Sequence, residues 1–305
     1  MSCWVITGAN GNLGRRLIAR LLEESADTTI KALVRSQAAA ERIASALTIQ
    51  NGDQTRFSTE VVDYTDATGL LRAFEGASQV VHLVGILKES SNSSYAAAHE
   101  DSCNALREAL AGTTGVHVTY LSIVGSRADA ENACLASKGA AEEILRGSDE
   151  FTSCILRVPM VLGEGDYASF ALQRRALQRI SFSFRHHSLE QPIYAGDVVE
   201  AIVAAGIRSY DGVLDVGGPE VLTRKALTQR AAGVLGARTM PVSLPLAVGR
   251  LIAVIMQSLS KNPPLTLPML EVLDHDDRVD PSEAMTALGL KALTPLDEML
   301  SRVFA

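Results

Sequence analysis

The sequence predicts an α/β protein, a doubly wound parallel sheet followed by a smaller carboxyl-terminal portion. Three observations carry this expectation. Short β-prone apolar runs alternate with segments of helical periodicity through the first half of the chain. The run from Gln79 to Gly85 is apolar without alternation, as in a strand covered on both faces. Beyond about residue 158, proline and glycine punctuate shorter elements. The 305 residues, 47% of them hydrophobic, suffice to bury a large core. We expect a main domain over residues 1–158 and a smaller α+β cap over residues 159–305, partly interleaved with the main sheet.

Taken in order, Cys3 to Thr7 is the first strand, and Leu13, Leu17, Ile18, Leu21 and Leu22 then recur at helical spacing. Between them lies Gly8-Ala9-Asn10-Gly11-Asn12-Leu13-Gly14, a G-x-x-G-x-x-G turn. A strand turning into a helix through such glycines holds a pyrophosphate. Gly8 permits the tight turn, Gly11 lets backbone N–H groups approach the anion, and Gly14 lets the helix pack on the strand. The second strand, Thr28 to Val34, ends on Arg35. An acidic residue at that point bonds the ribose hydroxyls of NAD, whereas an arginine suits the 2′-phosphate of NADP. Arg35 is therefore the residue expected to select NADP(H) over NAD(H). Arg15 is either a second phosphate contact or, like any surface arginine, simply solvated, an alternative that holds for Arg35 too. A helix from Gln37 to Leu47 leads to a third strand, Thr59 to Val62, closed by Asp63 and Tyr64. These two either bond and cover an adenine or are incidental neighbours of a helix cap at Asp66. In the fourth strand His82 reads as a packed core histidine, while Leu83, Val84 and Gly85 lie where the cofactor crosses the strand's carboxyl end. A helix from Tyr95 to Ala111, a fifth strand from Val116 to Ser122 and a helix from Asn132 to Leu145 follow, and in the last of these Cys134 lies one turn before Lys138.

The order of these motifs resembles the short-chain dehydrogenase/reductase superfamily, and within it the extended and atypical, epimerase/dehydratase-like members. More narrowly it resembles the group around the dinucleotide-binding accessory subunit of respiratory complex I and its bacterial relatives. That likeness is carried by His82 to Leu87, Leu156 to Pro159, Gln191 to Ala201, Gly217 to Glu220, and Pro263-Pro264-Leu265-Thr266 through to Phe304. The resemblance implies a Rossmann-type fold and a catalytic Ser or Thr, Tyr and Lys. Lys138 stands at the lysine, which bonds the ribose and lowers the phenol's pKa. Cys134 stands at the tyrosine, and Ser122 precedes Ile123, the position that aligns with the usual Ser or Thr. A thiol, with a free pKa near ~8.5, is able to pass a proton, but its sulfur sits about 4 Å closer to its own backbone than a tyrosine oxygen does. Cys134 is thus either a small buried cysteine where no acid is needed or a reactive thiol. Two functions fit: an NADP-dependent oxidoreductase acting without the tyrosine on a quinone-like or carbonyl substrate, or a non-catalytic NAD(P)H-binding sensor or respiratory-complex accessory or assembly protein.

The second half reads as a sixth strand, Thr152 to Leu156, then a helix from Phe170 to Arg179, an apolar pair Ile193-Tyr194, a helix from Val198 to Ile207, a strand from Val213 to Val216 and a helix from Lys225 to Leu235. Such a cap forms a cleft for a small-molecule substrate over the sheet's carboxyl edge. Arg174, Arg175, Arg179, Arg185, His186 and His187 make a basic cluster, read as a solvated helix face with an acidic substrate or anionic lipid surface as the alternatives. The most apolar run, Leu244 to Met256, is interrupted by Arg250 and is shorter than the ~20 residues that span a bilayer. It reads as a helix over the cleft, with an interfacial membrane helix or a subunit contact as the other choices. The alanine-rich faces of Ala98 to Leu110 and Gly139 to Leu145 either pair in a homodimer or pack internally. A net charge of −7, from 28 basic and 35 acidic residues, argues against nucleic acid. Neither the histidine pair nor the cysteines Cys3, Cys103, Cys134 and Cys154 has metal-ligand spacing, so no metal is expected. Without a visible signal peptide, reduced thiols point to a cytoplasmic protein.

Overall fold

A computed structural model describes residues 2–24, 27–46, 55–259 and 276–305. Seven strands form one parallel sheet: β1 (Ser2–Thr7), β2 (Thr28–Val34), β3 (Phe57–Val61), β4 (Gln79–His82), β5 (His117–Ile123), β6 (Thr152–Val158) and β11 (Gly212–Asp215), in the spatial order β11-β6-β5-β4-β1-β2-β3. The chain runs outward from β1 to β3, then returns to lay β4 on the other side of β1. That reversal opens a crevice at the carboxyl ends of β1 and β4, the place where an open α/β sheet holds its ligand.

Alternation along each strand divides the core. Ile6, Ile30 and Leu156 face α1 (Asn12–Glu24), α2 (Gln37–Ala46) and α7 (Ala195–Arg208), while Val5, Leu33, Val118 and Tyr120 face α3 (Ala67–Ala73), α4 (Ser102–Ala109) and α5 (Ala133–Arg146). Helices start where polar side chains take up free N–H groups. Asp66 accepts from Thr68 ahead of α3, and Asn132 accepts from Cys134 and Leu135 ahead of α5. Asp66 is therefore the helix cap. The alanine-rich faces pack internally: Ala105, Ala109, Ala141 and Leu145 are buried in the second core. The helix expected from Tyr95 opens instead with a π-helical turn, Ala96–Asp101, and β4 ends at His82, three residues short, because the chain turns away there and Leu83 and Val84 line the crevice.

After β6 the elements shorten. β7 (Val161–Leu162) pairs with β10 (Ile193–Tyr194), β8 (Ile180–Phe184) with β13 (Met240–Leu244), and β9 (Leu189–Glu190) with β12 (Leu222–Thr223). α6 (Tyr167–Leu177), α8 (Arg224–Val234) and α11 (Leu296–Val303) close on a third core of Leu162, Leu172, Leu227, Leu296 and Met299. The strand β11, the helix α7 and α10 (Ser282–Leu288), which packs on both, belong to the main sheet although they follow residue 158. α9 (Leu246–Leu259) follows β13 directly. Leu47 and Pro263 to Thr266 lie outside the described residues.

Candidate functional site

Gly8 leaves β1 with φ +69°, a conformation L side chains rarely adopt, and a β-carbon there would meet the Leu83 carbonyl at 3.1 Å. A β-carbon on Gly14 would lie 2.6 Å from the Ala9 oxygen, so the first turn of α1 rests directly on the backbone of the preceding turn. The Gly11 N–H donates to the Gly8 carbonyl at 3.0 Å, closing the loop. The result is a helix amino end aimed into a cleft of about 290 Å³ lined by Gly8, Gly11, Asn12, Leu13, Gly14, Leu83 and Leu121. Free N–H groups and the helix dipole suit that end to a phosphate. Arg15, one residue past Gly14, is half-buried with its Nε unpartnered, and it is not among the residues lining this cleft. Two more of the expected contacts do not line it. Ala9 is fully buried, and neither it nor Asn10 is among the residues lining this cleft. The Asn12 side chain, for its part, donates to the Glu164 carbonyl and accepts from Arg16, tying α1 to the cap.

A second cleft, of about 330 Å³, continues along the sheet edge and is lined by Arg35, Asp63, Tyr64, Thr65, Val84 and Ala98. Arg35 is exposed at the end of β2. Asp63 accepts from the backbone and the hydroxyl of Thr65, which holds its carboxyl below the ordinary value. Tyr64 has a structural part in this cleft. Its hydroxyl donates to the Leu33 carbonyl at 2.7 Å and accepts from the Gly8 N–H at 2.9 Å, bracing the glycine turn against β2. Burial raises its phenol to about 12, so it stays protonated in that bridge.

α5 carries Lys138, which is buried against the end of β5 and lines neither cleft. Its ammonium donates to the Leu121 carbonyl at 2.9 Å, lies 4.4 Å from the centre of the Tyr120 ring, and comes so near Gly85 that a β-carbon there would stand 2.8 Å from Nζ. Glycine at the end of β4 is thus what makes room for the lysine. Burial, at 5% exposure, lowers its pKa from the ordinary 10.5 to about 8. Two histidines pack close by. His82 is a buried core residue held between Thr7 and Ser102. The Ile86 N–H donates to His99 Nε2, so that ring carries its proton on Nδ1, which has no partner. Burial, and then the Lys138 charge, lower both histidines to about 3 and keep them neutral. His99 was not singled out from the sequence; its only signal there is a single histidine in an alanine-rich helix.

Two expected catalytic groups are committed elsewhere. The Ser122 hydroxyl donates to Glu142 Oε1 at 2.5 Å, and Glu142 is in turn paired with Arg157, so Ser122 serves a buried ion pair rather than a substrate. The hydroxyl thus points away from the position the resemblance implies for it. The cause is strand parity: Ser122 shares its face of β5 with Tyr120 and looks toward α5. Cys134 is fully buried, its thiol 3.5 Å from the Ile86 carbonyl, and burial pushes its pKa up to about 11. It is the inert cysteine of the two alternatives in its resting environment. Nor does α9 cover the crevice, since none of its described residues lines either cleft.

The sequence profile of a family described as NAD(P)H-binding matches residues 8–178, more than half of the chain and the whole of the glycine turn, both clefts and Lys138. The chain belongs to that family. Its fold is the Rossmann-type α/β fold of the short-chain dehydrogenase/reductase-like, epimerase- and dehydratase-like superfamily. UDP-glucuronic acid 4-epimerase from Bacillus cereus, solved with UDP-glucuronic acid and NAD, superposes with TM-score 0.73 at 18% identity, covering 99% of this chain and 98% of that one. dTDP-glucose 4,6-dehydratase from Bacillus anthracis, solved with NAD, gives 0.73 at 12% identity over 99% and 95%. At such identities the likeness is one of fold. A ceramide reductase of Caulobacter vibrioides is 26% identical over 245 residues, 79% of this chain and 73% of that protein. Among the described residues no helix is long and apolar enough to cross a membrane and no cluster of metal-ligating side chains occurs.

Proposed function

We propose that this NAD(P)H-binding, oxidoreductase-like protein is an NADP(H)-dependent reductase that acts on a carbonyl or quinone-like substrate without the superfamily's tyrosine. The observation that carries the reading is Lys138, a buried ammonium lodged against Gly85 and the Leu121 carbonyl, Leu121 itself lining the cleft beneath the glycine turn. Gly8, Gly11 and the first turn of α1 would hold the pyrophosphate, and Arg35 the 2′-phosphate. When bound, the dinucleotide supplies the hydride. Everything else falls to the chain. Lys138 uses one N–H on Leu121 and has two more to offer a ribose or a substrate oxygen, and with a pKa of about 8 it carries a proton at neutral pH that it is able to release. Cys134, held up at about 11 and bonded to Ile86, keeps its proton, and Ser122 is engaged with Glu142. The likeness to a ceramide reductase supports a lipid-borne carbonyl within that substrate class.

The test is nicotinamide absorbance with a panel of quinones and ketones, keto-lipids included, for wild type and Lys138→Met. Oxidation of NADPH by one class, lost by at least about a hundredfold in the variant, supports the reading. NADPH that binds but is consumed by no member of the panel favours the alternative, a sensor or an accessory subunit of the kind found in respiratory complex I. The commitment of Ser122 and Cys134 is the observation on that side.

A further inference from the structure

The strand pair β8–β13 and the helix α9 are built inside out. In β8 the serine Ser181 is buried at 2% exposure and bonded to Thr239, while its neighbours Ile180 and Phe182 stand in solvent, Phe182 at 57%. Met240, opposite Ile180 in the parallel register, is exposed beside it at 59%. In α9 the small residues Gly249 and Ala253 face inward, Gly249 against the Phe184 ring, and Val248, Leu251 and Ile255 form the outward stripe, Leu251 at 62%. A helix or strand that serves only its own core does the opposite. α6, which runs into β8, adds Tyr167, Phe170 and Leu177. Ten of the fifteen large apolar side chains exposed among the described residues lie on these four neighbouring elements. Scattered exposed leucines need no explanation; ten large apolar side chains on β8 and the three elements that touch it do.

Along these stretches of the chain the charged residues are basic, although Asp166, Glu190 and Asp297 border them and the last two pair with Arg224 and Arg230. Residues 167–189 and 221–259 contain nine of the chain's 28 lysines and arginines and none of its 35 acidic residues, in a protein of net charge −7. Arg174, Arg179, Arg238 and Arg250 are exposed there, and none of them has an ion-pair partner among the described residues. An apolar face with unpaired arginines on the same stretches of chain complements a bilayer whose headgroups are anionic. The face also adjoins the crevice: Asp166 and Ala168, at the start of α6, line the cleft beneath the glycine turn.

We propose that the protein docks on anionic lipid membranes through β8, β13, α9 and the outer side of α6, resting on the surface rather than spanning it. This goes beyond the reductase reading, since docking requires neither cofactor nor turnover. Where it bears on catalysis it rests on that reading, and it then puts the mouth of the cleft against the lipid surface from which a membrane-borne carbonyl would enter.

The experiment is flotation of the full chain with phosphatidylcholine vesicles, with and without phosphatidylglycerol, at low and high salt. Wild type is expected to float with the anionic vesicles, roughly tenfold or more above the neutral ones, and to release as salt rises. The double variant Phe182→Ser/Leu251→Ser and, separately, Arg179→Glu/Arg250→Glu are expected to lose that binding at least about tenfold while keeping the wild-type circular dichroism spectrum, all four positions being exposed. Wild type left with the soluble fraction, or variants that float as well as wild type, would overturn the proposal. So would a wild-type dimer in light scattering that Phe182→Ser/Leu251→Ser dissociates, which assigns the face to a second copy. Flotation without NADPH oxidation leaves docking standing and removes the reductase reading; oxidation without flotation does the reverse.

Discussion

Replacing Gly14 by alanine tests the dinucleotide turn at its tightest point. The new β-carbon would lie 2.6 Å from the Ala9 oxygen, 2.7 Å from its Cα and 2.8 Å from its carbonyl carbon. Ordinary contact needs about 3.5 Å, so α1 has to withdraw by roughly 0.8 Å, and both sides of the clash are backbone with no rotamer to relieve it. Overpacking of this kind costs ~1–3 kcal/mol. For a chain of this size that lowers Tm by roughly 2–10 °C. The same withdrawal carries the first-turn N–H groups away from the phosphate position, so the NADPH Kd should rise at least about tenfold. Gly233, in α8 with nothing within 4 Å of where a β-carbon would go, is the control. Gly233→Ala is expected to raise stability by ~0.5–1 kcal/mol and to leave binding unchanged. Scanning calorimetry and nucleotide titration on the two variants decide the matter. A Gly14→Ala protein with wild-type Tm and wild-type Kd would show that the turn neither packs nor binds as described.

Arg35→Asp is expected to reverse the nucleotide preference, the ratio of NADPH to NADH affinity falling by roughly ten- to a hundredfold in paired titrations. Lys138 imposes a pH dependence with a definite sign. Below pH 8 the amine is charged in the folded and the unfolded chain alike, and the fold bears the whole cost of burying that charge. Between about 8 and the ordinary 10.5 the unfolded chain still binds the proton that the folded chain has released, so stability rises with pH, by about 3 kcal/mol in all relative to Lys138→Met. Chemical denaturation at several pH values reads this directly, and parallel curves for the two proteins would refute it. Cys134, with its thiol at about 11 and fully buried, should resist iodoacetamide in the native protein and react only on unfolding, as mass spectrometry would show. Glu142→Ala leaves the Arg157 guanidinium and the Ser122 hydroxyl without their common acceptor and should cost roughly 3 kcal/mol of stability while NADPH binding holds.

Much of the main sheet was legible because local signals and tertiary position agree there. Apolar runs bounded by turn residues gave β1, β2, β4, β5 and β6 to within a few residues, and the strand-to-helix context gave the glycine turn its meaning. Arg35 stands at the end of β2, as the strand pattern predicts, and Lys138 lies on a helix, as its periodicity predicts; the role given to Lys138 came from the family resemblance. What was missed depends on which way a side chain points once the layers are packed. Ser122 was singled out because it precedes Ile123, the position that aligns with the superfamily's Ser or Thr, and only the pleat of β5 shows that it faces Glu142. Tyr64 looked like a lid for adenine, and only the register of β1, β2 and β3 brings its hydroxyl between Gly8 and Leu33. The run from Leu244 to Met256 was read as a cover for the cleft because apolar helices usually face inward. Here the inward positions are Gly249 and Ala253, and the bulky residues stand outside.

The account stands on the glycine turn, Arg35 and Lys138 forming one NADP(H) site. Calorimetric titration of the purified protein with NADPH and with NADH tests that most directly. It predicts a 1:1 complex with NADPH and binding of NADH weaker by roughly tenfold or more. Equal affinity for the two would remove the role given to Arg35, and binding of neither would contradict the account from its first motif onward.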